Sequence, residues 1–246
     1  MMNGKLYIDG VIDCISRAWT KGADAVDRAA DLICEATERK SNVYAFGCSH
    51  AGILAEEIFY RSGGMVTINP IFFPGFMLNT RPVTMTSMLE RLPGLAKIIF
   101  DENKLKKGDV LIIHSVSGRN TVPVEMAEEA AKHGVKTIAI TNLEYSSAVT
   151  SRAPSGKKLY EVCDIVLDNC GCISDASVKL EGLAEKTGPT STAVGAALLN
   201  ALVIEAEEKL IAKGITPPVF LSANIDGGTE HNARILNEYK DNIFYM

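Results

Sequence analysis

The chain has 246 residues, a formal net charge of −5 and a pI near 5.5, with 47% hydrophobic, 22% charged and 7% aromatic residues. That length can fill one α/β domain with a sizeable core, and the acidic balance argues against a nucleic-acid surface, which needs clustered Lys and Arg. No run of about 18 apolar residues offers a membrane span. The N-terminal "MMNGKLYIDGVIDCISRAW" has acids before any apolar block and no signal-peptide layout, so a cytoplasmic protein is expected.

Residues from about 3 to 40 read as N-terminal helices. Leu6, Ile8, Val11, Ile12 and Ile15 fall at helical spacing, and a second run, Ala23 to Lys40, carries Val26, Ala29, Ala30 and Ile33. The period then changes. "NVYAFG" (42–47), "MVTINP" (65–70), "DVLIIHSVSG" (109–118), "VKTIAITN" (135–142) and "CDIVLDN" (163–169) are short apolar runs. Helical segments separate most of them, at 51–62, about 84–103, 121–133 and then 190–212. Strands buried on both faces and alternating with helices predict a doubly wound domain around a parallel sheet. The stretches 70–83, 143–160 and 170–189 read as irregular, long enough for lids or subunit contacts. "IFFPGFML" (71–78) is too apolar to lie in water, so another subunit or its own domain should cover it.

Six cysteines, at 14, 34, 48, 163, 170 and 172, form no CxxC pair, and free thiols are expected. The four histidines show no HExxH or other ligand spacing, so no metal site is expected.

In parallel sheets, ligands bind outside the carboxyl ends of the strands, where loops run into helix N-termini. Two loops meet that description: Gly47-Cys48-Ser49-His50, and Ser115-Val116-Ser117-Gly118-Arg119-Asn120. Each has a glycine for close backbone approach, hydroxyls that can donate, and free N–H groups at a helix start. Those are the parts of a phosphate cradle. Neither GxxxxGK[ST] nor GxGxxG occurs, so nucleotide binding is not favoured and no cofactor is expected. Taken singly, Ser49 or Asn120 is as well explained as a plain N-cap. Two such loops after two strands of one sheet favour phosphate.

"GCSHAG" (47–52) resembles the first phosphate loop of the sugar isomerase (SIS) domain family, and "SVSGRN" (115–120) resembles its Ser-x-Ser-Gly signature, about 68 residues on. The order of elements from about 25 to 212 also fits. The resemblance implies a single SIS domain over 1–246. Its fold would be a flavodoxin-like three-layer α/β/α sandwich with a mostly parallel five-stranded sheet. The helices at about 3–40 and the segment at about 214–246 would pack on it or on a partner subunit. It further implies a phosphorylated sugar as ligand, bound by Ser49, Ser115, Ser117 and Asn120, and a homodimer or homotetramer. Two branches look closest. "AEEI" (55–58) resembles phosphoheptose isomerase, whose proposed base would fall on Glu57. "SGR" (117–119), "SSAVTS" (146–151) and "GPTSTA" (188–193) resemble N-acetylmuramic acid 6-phosphate etherase, whose base would fall on Glu90 in "TSMLERLPGLA". The histidine that the isomerases carry in the last helix has no counterpart in "STAVGAALLNALVIEAEE".

Aldose–ketose isomerisation and etherase elimination both begin by removing a proton beside a carbonyl, which a placed carboxylate can do. Projecting 51–62 at 100° per residue puts Ala51, Leu54, Ala55, Ile58 and Ser62 on the core side, with Glu57 and Glu56 on its two borders. Periodicity leaves that choice open. Both could be solvated helix acids, and Glu90-Arg91 an ordinary surface pair. His231, in "NIDGGTEHNARIL" (224–236), could open the sugar ring or protonate an oxygen, as imidazoles do in such reactions; a capping or contact role explains it as well. His50 could reach the phosphate. His114 reads as a satisfied core histidine. Thr190, Ser191 and Thr192 should cap the helix they open and are candidates to face the ligand. Gly47, Gly118 and Arg119 complete the candidate binding set. Two functions compete: a cofactor-free phosphosugar isomerase or lyase, and a phosphosugar sensor. Residues 1–40 are too short and acidic for the helix-turn-helix that such sensors attach.

Overall fold

The computed structural model describes residues 3–246. Five strands form one all-parallel sheet: β1 (Val43–Gly47), β2 (Ile68–Pro70), β3 (Val110–His114), β4 (Lys136–Thr141) and β5 (Ile165–Asp168), in the order β2-β1-β3-β4-β5. The helices are α1 (Asn3–Glu38), α2 (Ile53–Ile58), α3 (Thr86–Leu89), α4 (Leu95–Glu102), α5 (Thr121–His133), α6 (Leu143–Ala148), α7 (Leu159–Val162), α8 (Ser191–Ala212) and α9 (Gly228–Glu238). A separate antiparallel hairpin pairs β6 (Ala176–Lys179) with β7 (Lys186–Pro189).

The sheet is buried on both faces because its strands carry apolar side chains at nearly every position. Val43, Ala45, Val110, Ile112, Ile138 and Ile140 point to one face, where α1, α2 and α8 cover them. Tyr44, Phe46, Leu111, Ile113 and Ala139 point to the other, against α4, α5 and α7. This two-residue alternation makes three layers out of one strand period. The sandwich expected from the sequence is the fold observed.

Four local differences from the sequence reading have physical causes. The two N-terminal runs form one 36-residue helix, because Gly10 and Gly22 do not interrupt a face that packs along α8. The segment at 51–62 stops at Ile58: Phe59 turns extended (φ −103°, ψ 153°) so that it and Tyr60 join an aromatic cluster with Phe72, Phe220 and Tyr245. The segment at 84–103 breaks into α3 and α4, because Pro93 disfavours helical backbone at Leu92 and Gly94 takes a left-handed φ of +82°. Glu90 therefore sits at a helix end instead of mid-helix. The stretch 170–189, read as irregular, holds the β6–β7 hairpin. In the apolar stretch 71–78, Ile71 and Phe76 are buried in the chain's own core while Phe72 stays partly exposed. All six cysteines are free.

The C-terminal residues lace onto the outer strands. Asn242 accepts from Asn69 and donates to Asn42 and to the Lys40 carbonyl, and Phe244 stacks on Tyr44.

Strand β1 ends where a side chain cannot fit. A Cβ on Gly47 would lie 2.5 Å from the Ala51 carbonyl oxygen, which is backbone and cannot swing aside. Gly47→Ala should therefore destabilise the fold by about 2–3 kcal/mol, read as a lower urea midpoint at unchanged m-value; a variant as stable as wild type would show that the loop relaxes freely.

Candidate functional site

Residues Gly47 and His114 are register partners at the ends of β1 and β3. From there the chain leaves toward β2 on one side and β4 on the other, so the crevice between the two loops is the sheet's topological switch point. A cavity of about 190 Å³ opens there, lined among others by Cys48, Ser49, His50, Glu90, Ser115, Ser117, Asn120, Tyr145 and Asp175.

The first loop is short and strained. Ser49 adopts a left-handed φ of +57°, and its hydroxyl lies 2.7 Å from that of Thr86. Its side chain does not cap a helix. The second loop turns through a Gly118 N–H to Ser115 carbonyl bond of 3.2 Å, and Thr141 Oγ1 donates to the Ser115 carbonyl at 2.7 Å. Gly118 has a φ of +57°, and a Cβ there would meet the Ser146 hydroxyl at 2.9 Å. Asn120 stands at the N-cap of α5 without capping it; its side-chain oxygen accepts from Arg152 Nη1 at 2.7 Å. Arg119 Nη2 donates to Thr150 Oγ1 at 3.1 Å. Both loops thus keep serine hydroxyls for something other than helix capping.

Of the acids singled out from sequence, only Glu90 lines this cavity. The Val122 N–H donates to its carbonyl at 3.0 Å, which ties α3 to the first turn of α5. Burial pushes the Glu90 carboxyl above the ordinary range, and Asn120, Arg91 and Arg152 pull it partly back. Glu57 instead pairs with Arg61 and accepts from Asn200 Nδ2 at 3.1 Å, bridging α2 to α8. Glu56 is exposed. His231 lies on α9, where its Nε2 donates to the Val219 carbonyl at 3.0 Å and its Nδ1 accepts from Arg234. It does not line the cavity. Exposed His50 does.

Thr190 and Ser191 are buried, and neither side chain caps α8 as the sequence suggested. Asp175 does so from the hairpin: its carboxylate accepts both their N–H groups, at 3.0 and 2.8 Å, and the Ser191 hydroxyl at 2.6 Å. Anionic charge suits a helix N-terminus. Asp175 and Tyr145 line the cavity although sequence reading passed over them. No local pattern marks Asp175, whose partners lie 15 and 16 residues away.

A model of the SIS domain matches residues 6–142. The chain belongs to the SIS domain family. It is also 44% identical over 240 residues, 98% of each chain, to a UPF0309 protein of Shouchella clausii. Among solved structures it resembles a phosphoheptose isomerase from Francisella tularensis, at TM-score 0.50 and 16% identity over 84% of this chain and 100% of that one. It also resembles the Vibrio vulnificus NanR protein complexed with ManNAc-6P, at TM-score 0.52 and 14% identity over 95% of this chain and 68% of that one. At those identities the likeness is one of fold. No helix among the described residues of this SIS protein is long and apolar enough to cross a membrane.

His114 is only half satisfied. Its Nδ1 lies 3.0 Å from the Ala51 carbonyl, linking β3 to the first loop, while its buried Nε2 has no partner. Burial drives its pKa down from 6.5 to about 4. Between those values the unfolded chain binds a proton that the folded one refuses, so stability is full above pH 6.5 and is lost as the pH falls toward 4. Relative to His114→Gln, wild type should lose about 3 kcal/mol between pH 7 and pH 4, measured by urea unfolding at each pH; parallel profiles would contradict it.

Proposed function

We propose that this SIS protein binds a phosphorylated sugar between its two serine loops and removes a proton beside the sugar's carbonyl, with Glu90 as base, as a cofactor-free isomerase or lyase. The observation that carries this reading is that the Glu90 carboxyl lines the same cavity as Ser49, Ser115, Ser117 and Asn120. Glu57, engaged by Arg61 and Asn200, is the weaker candidate. The family model and the fold likeness to a phosphoheptose isomerase and to a ManNAc-6P complex support a phosphosugar as ligand.

In this scheme the hydroxyls of Ser49, Ser115 and Ser117 hold the phosphate. Binding fixes the sugar so that a C–H beside its carbonyl faces Glu90. The carboxylate takes that proton, leaving an enediolate. Returning the proton to the neighbouring carbon isomerises the sugar; expelling a substituent from the next carbon completes an elimination. We further propose a single domain acting in the cytoplasm as a homodimer or homotetramer, an arrangement in which His231 could serve a site other than the cavity of its own chain.

Replacing both Ser115 and Ser117 with Ala should weaken phosphosugar binding by about 1.5–3 kcal/mol per lost bond while the fold stays intact. Calorimetric titration decides: unchanged affinity in the double variant would remove the cradle assignment.

Glu90→Gln keeps shape and hydrogen-bonding reach but cannot accept a proton, a loss worth about 10²–10⁴ in rate. Exchange of solvent deuterium into a bound phosphosugar, at the carbon beside its carbonyl, should be lost in this variant and kept in Glu57→Gln. Because burial raises the Glu90 carboxyl and only its ionised form acts as base, exchange should rise with pH through an apparent pKa above the ordinary glutamate value. A second reading, a non-catalytic sensor, draws support from the fold likeness to NanR. Tight binding of several phosphosugars with no exchange in any of them would favour it.

A further inference from the structure

The reaction proposed for this site needs more than a base. As Glu90 takes the proton, the electron pair of that C–H bond moves into a carbon–carbon double bond, and the carbonyl pair moves onto its oxygen. A donor aimed at that oxygen stabilises the charge as it develops, and one such donor typically changes a rate by about 10²–10³. The serine hydroxyls are assigned to the phosphate, and the Asp175 carboxylate accepts at the start of α8. Asn120 is engaged by Arg152 and acts on the Glu90 carboxyl. Burial keeps the Cys48 thiol neutral, which leaves it a weak donor. Two side chains of the lining keep an uncommitted donor, His50 and Tyr145.

Tyr145 is the better placed of the two. It lies in the first turn of α6, and the chain entering that turn is tied to the second serine loop. Thr141 Oγ1 donates to the Ser115 and Val116 carbonyls at 2.7 and 3.1 Å, and Asn142 N–H donates to the Val116 carbonyl at 3.0 Å. The Asn142 side chain in turn accepts from the Tyr145 N–H at 2.6 Å, while its Nδ2 donates to Asn169 at 3.0 Å. The backbone of Tyr145 is thereby fixed against the loop that carries Ser115 and Ser117. Its phenol is not: among the described residues the hydroxyl has no hydrogen-bond partner, and only the backbone N–H is held by a side chain. The residue is half-buried where it lines the cavity, and a tyrosine hydroxyl in such a place ordinarily finds a partner. His50 is exposed, so water competes for any bond it would make.

We propose that Tyr145 is a further catalytic residue of this site. Its phenol donates a hydrogen bond to the carbonyl oxygen of the bound phosphosugar, and that bond strengthens as the oxygen becomes the enediolate. The phenol keeps its own proton, and the proton taken from carbon stays on Glu90. The proposal rests on the reading of Glu90 as base and of the serine loops as the phosphate cradle. It adds the electrophilic half of the reaction, delivered from an element that neither serine loop contains.

Two ligands that share a phosphate and differ in charge at that oxygen test this by calorimetric titration of the full-length protein. Fructose 6-phosphate presents a neutral carbonyl, and 5-phospho-D-arabinonohydroxamate presents hydroxamate oxygens that stand in for the enediolate. Wild type should bind the hydroxamate more tightly. Tyr145→Phe removes one oxygen that has no protein partner, so its urea midpoint should not move and its affinity for fructose 6-phosphate should stay within about twofold. Its affinity for the hydroxamate should fall by about ten- to a hundredfold. Equal affinities in wild type, an equal loss of both ligands in Tyr145→Phe, or no loss of either overturns the assignment. A selective loss found in His50→Gln and not in Tyr145→Phe moves the donor to His50 and also overturns it. If neither ligand binds wild type, the phenol and the cradle fall together. If the selective loss is found in Tyr145→Phe while deuterium exchange persists in Glu90→Gln, Tyr145 stands and the base alone has to be reassigned.

Discussion

The pairing of β1 with β3 is the interaction from which the rest of the site follows. Their register sets Gly47 opposite His114, so both strands release their loops at the same level of the sheet. Because the chain then departs in opposite directions, no connecting segment fills the space between, and a crevice is left at the carboxyl edge. Gly47 keeps that crevice open to the backbone: its missing side chain lets the Ala51 carbonyl fold back over the strand end. His114 Nδ1 meets the same carbonyl from the neighbouring strand. Two strands and one loop are thereby locked at a single point, deep in the core, with the loop's polar groups turned outward.

The groups that line or border this crevice are delivered to it from elsewhere in the chain. Glu90 comes from the break between α3 and α4 and is fixed by its backbone, through the bond from Val122. Asp175 comes from the β6–β7 hairpin and is committed to the start of α8, where it replaces the cap that Thr190 and Ser191 do not supply themselves. Arg152, whose guanidinium donates to Asn120, is held by backbone bonds to Arg119 and Thr121. In each case backbone or buried hydrogen bonds set the position, which limits the reorganisation needed when a ligand arrives.

The cavity mixes neutral donors with a carboxyl. Neutral hydroxyls line the loops, the Glu90 carboxyl with its raised pKa sits in the wall, and behind the wall the Arg152 guanidinium donates to Asn120.

The sequence by itself determined the layers and the two loops. Apolar runs such as "VLIIH" can be satisfied only by burial on both faces, and two loops rich in glycine and serine after two strands of one sheet favour an anion, although either loop alone reads equally as a helix cap. It also determined that Glu56 and Glu57 border one helical face, but not which acid meets the cavity. That choice was made by tertiary structure, because it depends on where a chain broken at Pro93-Gly94 returns to the sheet. The same holds for α2, which ends early to feed an aromatic cluster assembled from residues up to 186 positions apart. Asp175 and Arg152 were illegible for the same reason: a side chain's role at a site built from distant loops is set by three-dimensional neighbours, and local periodicity holds no record of them.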